Sequence, residues 1–257
     1  MSTLTLQVKE QVAEITIQSP PANALSSTIL QDLSEEMDRI EQDSSIKAIL
    51  LKGEGKFFSA GADIKEFTSL QGASDYEGLS SKGQDLFNRI ENFHIPVVAA
   101  IHGAALGGGL ELAMACHIRY VADDAKIGLP EINLGIVPGF AGTQRLPRYV
   151  GAPKAYEMIL TGVPISGSEA ASVGLANESF PGEEVFEQAE KLARTIASKS
   201  GPAINQVMNL IPYAHTSTFS EGVNAEASAF GEVFGNEDAK EGIQAFIEKR
   251  KPEFKDK

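Results

Sequence analysis

Apolar positions recur with two different periods along this chain, and the switches between them mark its elements. Leu4, Leu6 and Val8 alternate with polar residues, and Ala13, Ile15 and Ile17 do so again after a polar turn. That spacing predicts a hairpin, ended by Pro20 and Pro21. From Ser26 or Ser27, either of which suits an N-cap, Ile29, Leu30, Leu33, Met37 and Ile40 share one helical face as far as Glu41. Residues 46–51 and 97–101 are short, dense apolar runs of the kind a parallel sheet buries. Between them, a short helix is predicted from Ala62 and a longer one over 76–93, separated by a small, polar stretch at 68–75 that reads as a mobile loop. Further β segments follow at 118–122 and 125–127. Strand and helix therefore alternate up to residue 130, which predicts an α/β layered core. Beyond Gly139 the period is helical, at 168–173, 183–198, 203–211, 219–234 and 237–247.

The middle of the chain carries the densest chemistry. Three glycines, Gly107 to Gly109, follow an apolar run and lead into LELAMAC, a segment of strong helix formers. A strand, a glycine turn and a helix start together leave backbone N–H groups with no intrahelical partner. Those donors, at the positive end of the helix dipole, suit an anion or an oxygen that becomes anionic. A similar junction occurs at SAGAD, where Ala62 follows Gly61. Two such junctions can hold one carbonyl oxygen from two sides. Glu111 lies three residues after Gly108 among apolar neighbours, and Glu131 follows 20 positions later in a second glycine-punctuated loop. A carboxyl buried at Glu111 needs a partner or a raised pKa. Plainer accounts compete: tight packing for the glycines, helix capping for Glu111.

Composition narrows the field. A formal net charge of −13 repels nucleic acid and anionic membrane surfaces. Two small basic groups, Lys52 with Lys56 and Lys65, and the tail over 248–257, read as solvated surface or as anchors for the phosphates of a small ligand. No apolar run approaches the ~18 residues of a membrane helix, and the first residues lack the pattern of a targeting segment. Cys116 is the single cysteine, so no disulfide framework exists and a reducing, cytoplasmic compartment is expected. Dinucleotide, P-loop, nucleophile-elbow and H-E-x-x-H patterns are absent, and His94, His102, His117 and His215 lack metal-ligand spacing. Carboxylates and backbone donors remain.

The strings SAGADIKEF, HGAALGGGLELAMACHIRYVADDAKIGLPEINLGIVPGFAGTQRLPR and LTGVPISGSEAASVGLAN resemble the enoyl-CoA hydratase (crotonase) family, as do PPANAL near the start and AFIEKRKPEFKDK at the end. The resemblance covers essentially the whole chain. It implies an α/β fold, a crotonase-like spiral of ββα units over 1–195 that holds the active site. A C-terminal helical region over 196–257 would build a homotrimer, or a hexamer of paired trimers. It implies that Ala62 and Gly108 supply the N–H groups of an oxyanion hole for a thioester carbonyl, and that Glu111 and Glu131 are the two catalytic glutamates. Ala60, Asp63, Ile64 and Lys65 match the segment lining the CoA site, and Gly139 a loop glycine beside the reacting atoms. The implied substrate is an acyl-CoA thioester. Coenzyme A arrives as part of it, so neither a separate cofactor nor a metal is expected. Two positions depart from the family pattern: His117, where relatives usually carry Asp, and Phe140, where they usually carry a smaller residue. The second implies a narrowed or reshaped acyl pocket. Enoyl-CoA isomerases and CoA-thioester hydrolases share the oxyanion hole, but the isomerases generally keep one such carboxyl. The pair Glu111 and Glu131 therefore implies a hydratase. A non-enzymatic binding module would predict loss of one of these glutamates or of Gly108, and all are present.

Overall fold

A computed structural model describes residues 3–67, 73–216 and 218–257. The chain opens with the expected hairpin, β1 (Leu4–Lys9) and β2 (Val12–Ile17), paired antiparallel from Leu4 opposite Ile17 to Lys9 opposite Val12. Helix α1 (Ser27–Glu41) starts at Ser26, whose hydroxyl caps the Ile29 N–H, and buries the Ile29, Leu33, Met37 and Ile40 face. Then come β3 (Ala48–Gly53), α2 (Ile64–Phe67), α3 (Ala73–Glu91), β4 (Val97–Ile101), β5 (Ala104–Leu106) and α4 (Gly108–Ala115). Next are β6 (Ile118–Ala122), β7 (Lys126–Gly128), a 3-10 turn at Pro130–Leu134, α5 (Gly142–Thr161), β8 (Ile165–Ser166), α6 (Gly167–Ser172) and β9 (Glu178–Phe180). The C-terminal part is helical: α7 (Val185–Ala197), α8 (Gly201–Leu210), α9 (Tyr213–Thr216), α10 (Phe219–Phe234) and α11 (Glu237–Glu248).

Among the described residues the strands form two sheets. The larger has the order β1-β2-β3-β4-β6-β9, parallel beyond the first hairpin. The smaller has the order β5-β7-β8. The chain thus steps repeatedly from a long strand in the first sheet to a short one in the second and then into a helix: β4, β5, α4, then β6, β7, α5. One sheet face is covered by α7, whose small Ala189, Ala193 and Ala197 let it lie close over Leu50 and Val98. The other face and the second sheet close around a larger core holding Phe58, Phe87, Ile101 and Leu112. Residue 195 lies within α7, and the helices that follow leave Phe219, Phe230, Phe234 and Phe246 exposed.

Two expectations change. Residues 68–72 of the expected mobile loop lie outside the described residues, and the chain is already helical at Ala73, so the loop does not extend to 75. Helix α5 had no counterpart in the apolar pattern. It contains Pro147 and Pro153 and is broken at Gly151 (φ 74°, ψ 161°), so its apolar period resets midway. The basic tail keeps Lys249, Lys251, Lys255 and Lys257 exposed, as a solvated surface would, while its backbone is tied down. The Asp238 carboxylate accepts the Lys255 and Asp256 N–H groups, and Asp256 in turn accepts from Gly201 N–H and the buried Lys47.

One buried amide fastens the loops that lead to the site. Asn23, in the left-handed region at φ 51°, donates through Nδ2 to the carbonyls of Glu54 (2.9 Å) and Phe57 (2.7 Å) and accepts the Ser19 N–H through Oδ1 (3.0 Å). Its own carbonyl accepts from Ser59 Oγ, which accepts the Gly61 N–H. Removing the amide strands two carbonyls and places alanine at positive φ. Asn23→Ala is expected to lower stability by about 3 kcal/mol, read as a lower urea midpoint at unchanged slope.

Candidate active site

Two backbone rules leave two N–H groups side by side. Ala62 forms an isolated parallel bridge with Leu25, in which Leu25 N–H donates to the Gly61 carbonyl (2.7 Å) and Asp63 N–H to the Leu25 carbonyl (3.1 Å). Parallel pairing draws on the residues flanking Ala62, which turns its own N–H the other way. Gly108 begins α4, where the first-turn donors have no helical acceptor. Neither N–H donates to another described residue. They are close neighbours, for a methyl built on Gly108 would stand 3.3 Å from Ala62 N.

The glycine run has a reason at each step. Gly107 caps α4 at φ 50°, ψ −127°, outside the range of residues with a side chain. A methyl there would also stand 2.7 Å from Glu131 Oε1. A methyl on Gly109 would stand 2.4 Å from the Ser59 carbonyl oxygen, so helix and loop touch backbone to backbone.

Glu111, in the first turn of α4, is 1% exposed. Its Oε1 accepts N–H groups from Phe140 (2.8 Å) and Gly142 (2.7 Å), at the start of α5. Burial raises its pKa to about 7; the negative charge of Glu131 adds to the rise, while the two N–H groups and Arg145 oppose it. Glu131 stands in the 3-10 turn after Pro130. Burial raises its pKa too, and its Oε2 is buried with no hydrogen-bond partner among the described residues. The charge of the half-buried Glu131 disfavours ionisation of Glu111, so near neutral pH Glu111 readily holds its proton.

The loop carrying the Glu111 donors is itself clamped. The Gly139 carbonyl accepts from Gln84 Nε2 (2.9 Å) and from the Ser80 hydroxyl, both on α3. The Phe140 carbonyl accepts from Arg145 Nη1 (2.9 Å), and the buried Arg145 also binds Glu91 (3.0 Å) and Asn88 (2.6 Å). This support was not read from the sequence, because its partners lie more than fifty residues apart in the chain.

The other expected site residues fall around this core. Ala60, exposed, precedes Gly61 and donates its N–H to the Ala22 carbonyl (3.0 Å). Asp63 and Ile64 lead into α2, with Ile64 48% exposed. Lys65 is in α2, and its side chain lies outside what is described. His117 is structural: Nδ1 accepts the Val97 N–H (3.0 Å), so its proton sits on Nε2 facing the Glu91 carbonyl (3.2 Å), and burial lowers its pKa to about 4. Lys52 pairs with Glu14 at 2.6 Å. No cluster of His, Cys, Asp or Glu among the described residues could hold a metal ion.

The sequence profile of the family described as enoyl-CoA hydratase/isomerase matches residues 7–257. A protein of Bacillus subtilis named probable enoyl-CoA hydratase is 57% identical, over 99% of this chain and 99% of its own. The short-chain-enoyl-CoA hydratase of Clostridium acetobutylicum is 39% identical over 98% of this chain and 97% of its own. A crystal structure of enoyl-CoA hydratase from Bacillus anthracis superposes with a TM-score of 0.95 at 34% identity, covering 99% of this chain and 100% of that one.

A carboxyl whose pKa rises on folding binds its proton more tightly in the native state. Its contribution to stability is complete below pH 4.5, the ordinary Glu value, and is lost as the pH rises through about 7. Moving that pKa to about 7 corresponds to about 3 kcal/mol. Glu111→Gln removes the titration while keeping an acceptor for both N–H groups. Relative to the parent, it is expected to gain up to about 3 kcal/mol between pH 4 and pH 8 in urea unfolding; a pH-independent difference would contradict the assigned burial.

Proposed function

The chain belongs to the enoyl-CoA hydratase/isomerase family, and we propose that it adds water across the double bond of a trans-2-enoyl-CoA to give the 3-hydroxyacyl-CoA. It is on this reading a hydro-lyase of acyl-CoA breakdown, whose substrate brings coenzyme A with it. The observation that carries the reading is the buried carboxyl of Glu111, with the half-buried Glu131 acting on it, beside the N–H groups of Ala62 and Gly108. The names of full-length relatives agree with it.

Water attacks C3 of an enoyl thioester slowly because the enolate that forms is too basic for bulk solvent. Ala62 and Gly108 take the thioester oxygen as that charge develops; a preorganised donor of this kind contributes roughly 3–4 kcal/mol. The two carboxyls hold one water between them. The ionised one removes its proton as the oxygen bonds to C3, and the protonated one delivers a proton to C2. Atoms balance as one water added, and the pair ends with its proton exchanged. An isomerase needs the same oxyanion hole but moves one proton between carbons, a task for a single carboxyl.

We assign Ala60, Asp63, Ile64 and Lys65 to the CoA side of the site and Gly139 to the flank of the reacting atoms, supported by their position around Gly61 and Phe140. We also propose a homotrimer, able to pair into a hexamer, built through the exposed Phe230, Phe234, Phe246 and Ile247 of α10 and α11. A cytoplasmic location is supported by the lone, buried Cys116; among the described residues no helix is long and apolar enough to cross a membrane.

Mixing the protein with crotonyl-CoA should remove the conjugated thioester absorbance and give a product heavier by one water. Release of a free thiol instead would assign a hydrolase. Glu111→Gln and Glu131→Gln should each lower kcat by roughly 10²–10⁴, with little change in affinity for butyryl-CoA measured by calorimetry. Loss of binding in step with turnover would remove both from the reaction.

A further inference from the structure

We propose that Arg119 is a positioning residue for the oxyanion hole, a buried cation at the carboxyl end of α4 that strengthens the N–H donor at the other end. The proposal rests on the thioester reading above and concerns a charge that touches neither the substrate nor the reacting atoms.

Arg119 stands in β6, just after α4 ends, and its side chain returns to the helix. Its Nη1 donates to the carbonyls of Ala113 (3.2 Å) and Cys116 (2.6 Å), where α4 closes, and its Nε donates to the Leu175 carbonyl (2.7 Å). The guanidinium carbon lies 4.3 Å from the centre of the Tyr149 ring, whose hydroxyl donates to the Met114 carbonyl (2.9 Å). Arg119 is 4% exposed and makes no ion pair among the described residues. Its charge is answered by carbonyl dipoles and the face of one ring.

A buried cation without an acid beside it is costly to keep. Satisfying the carbonyls does not require the charge, since Tyr149 serves Met114 with a neutral hydroxyl. What the charge adds is a field along α4. The carboxyl end of a helix carries partial negative charge, which opposes an anion held at the amino end. Arg119 covers that end with a full positive charge. Its pull is felt nearby: burial pushes the Cys116 thiol up to about 12, and Arg119 and Arg145 act against that rise. The eight residues of α4, Gly108 to Ala115, are all buried, so water does not screen the path to Gly108. Eight helical residues span about 12 Å. At an effective dielectric of about 20, two unit charges that far apart change an equilibrium by about tenfold. The enolate oxygen that develops beside Gly108 gains this reinforcement from the far end of the helix.

The test compares the parent with Arg119→Lys, Arg119→Gln and Arg119→Met in the full chain. Acetoacetyl-CoA is the probe, because its enolate is anionic at the thioester oxygen and absorbs where the keto form does not. Butyryl-CoA, measured by calorimetry, is the neutral control. The pH at which bound acetoacetyl-CoA becomes enolate is expected to rise by about one unit in the Gln and Met variants. In Arg119→Lys, which keeps the charge, it should stay near the parent value. Affinity for butyryl-CoA should change by less than about twofold throughout, since a neutral thioester does not sense the field. With crotonyl-CoA, kcat should fall about tenfold in the two neutral variants at unchanged KM. An enolisation pH that stays fixed in a folded neutral variant would overturn the proposal. So would equal shifts in the Lys and Gln variants, or a shift matched by loss of butyryl-CoA binding, for either marks a loosened site and not a lost charge. If Arg119→Met does not fold, Arg119→Gln, which keeps a donor for the carbonyls, decides. A parent that fails to lower the enolisation pH below its value in water has no oxyanion hole to reinforce, and the proposal falls. If the parent lowers that pH but hydrates no enoyl-CoA, the hydratase reading falls alone, and the enolisation shift still decides the role of Arg119.

Discussion

The burial of one carboxyl governs how the site is built. Glu111 lies in the first turn of a helix surrounded by Leu110, Leu112 and the core, and taking its charge from water is costly. Part of the cost is offset by two N–H groups from Phe140 and Gly142. These come from a loop that must be held in place, hence the grip of Arg145, Gln84 and Ser80 on its carbonyls. Arg145 is buried too, and is matched by Glu91 and Asn88 at the end of α3. One acidic side chain thus dictates the junction of α3, α4 and α5. What remains of the desolvation appears as a raised proton affinity, which is what proton transfer near neutral pH requires.

Much of this was legible before any coordinates. The alternation of Leu4, Leu6 and Val8, the face of α1 and the limits of β4 were read from local periodicity, although the structure buries Leu4 and leaves Val8 exposed. Glu111 stood out because a lone acid amid LELAMA has no local way to stay solvated. Ala62 and Gly108 were legible as junctions, and through the resemblance as donors. Their closeness followed from the resemblance and not from local pattern, because the bridge from Leu25 to Ala62 joins segments that share no short-range pattern.

Other parts had no local signal. Helix α5 hides behind Pro147, Gly151 and Pro153, which reset its apolar face, while Pro153 sits just after the break, where a missing N–H costs little. Gly107 looked like one of three equivalent glycines; its positive φ and the approach of Glu131 Oε1 make it distinct. Gly83 gave no signal within α3, for its absent side chain matters only against Phe140, far along the chain. Complementary pairs of this kind become visible only when helices pack.

The oxyanion hole and the carboxyls differ in what they demand of the sequence. Ala62 offers its N–H because of where a parallel bridge places hydrogen bonds, and Gly108 because it begins a helix. Backbone geometry makes both donors, so they persist while side chains around them change. Glu111 and Glu131 depend on side-chain identity and on burial that a single substitution can undo. On the proposed reading, a fold arranged in this way fixes stabilisation of the enolate and leaves the fate of the proton open. The reaction is then decided by which carboxyls surround the hole. In this chain two acids stand there, and one of them, Glu111, is held by two backbone N–H groups at the start of α5.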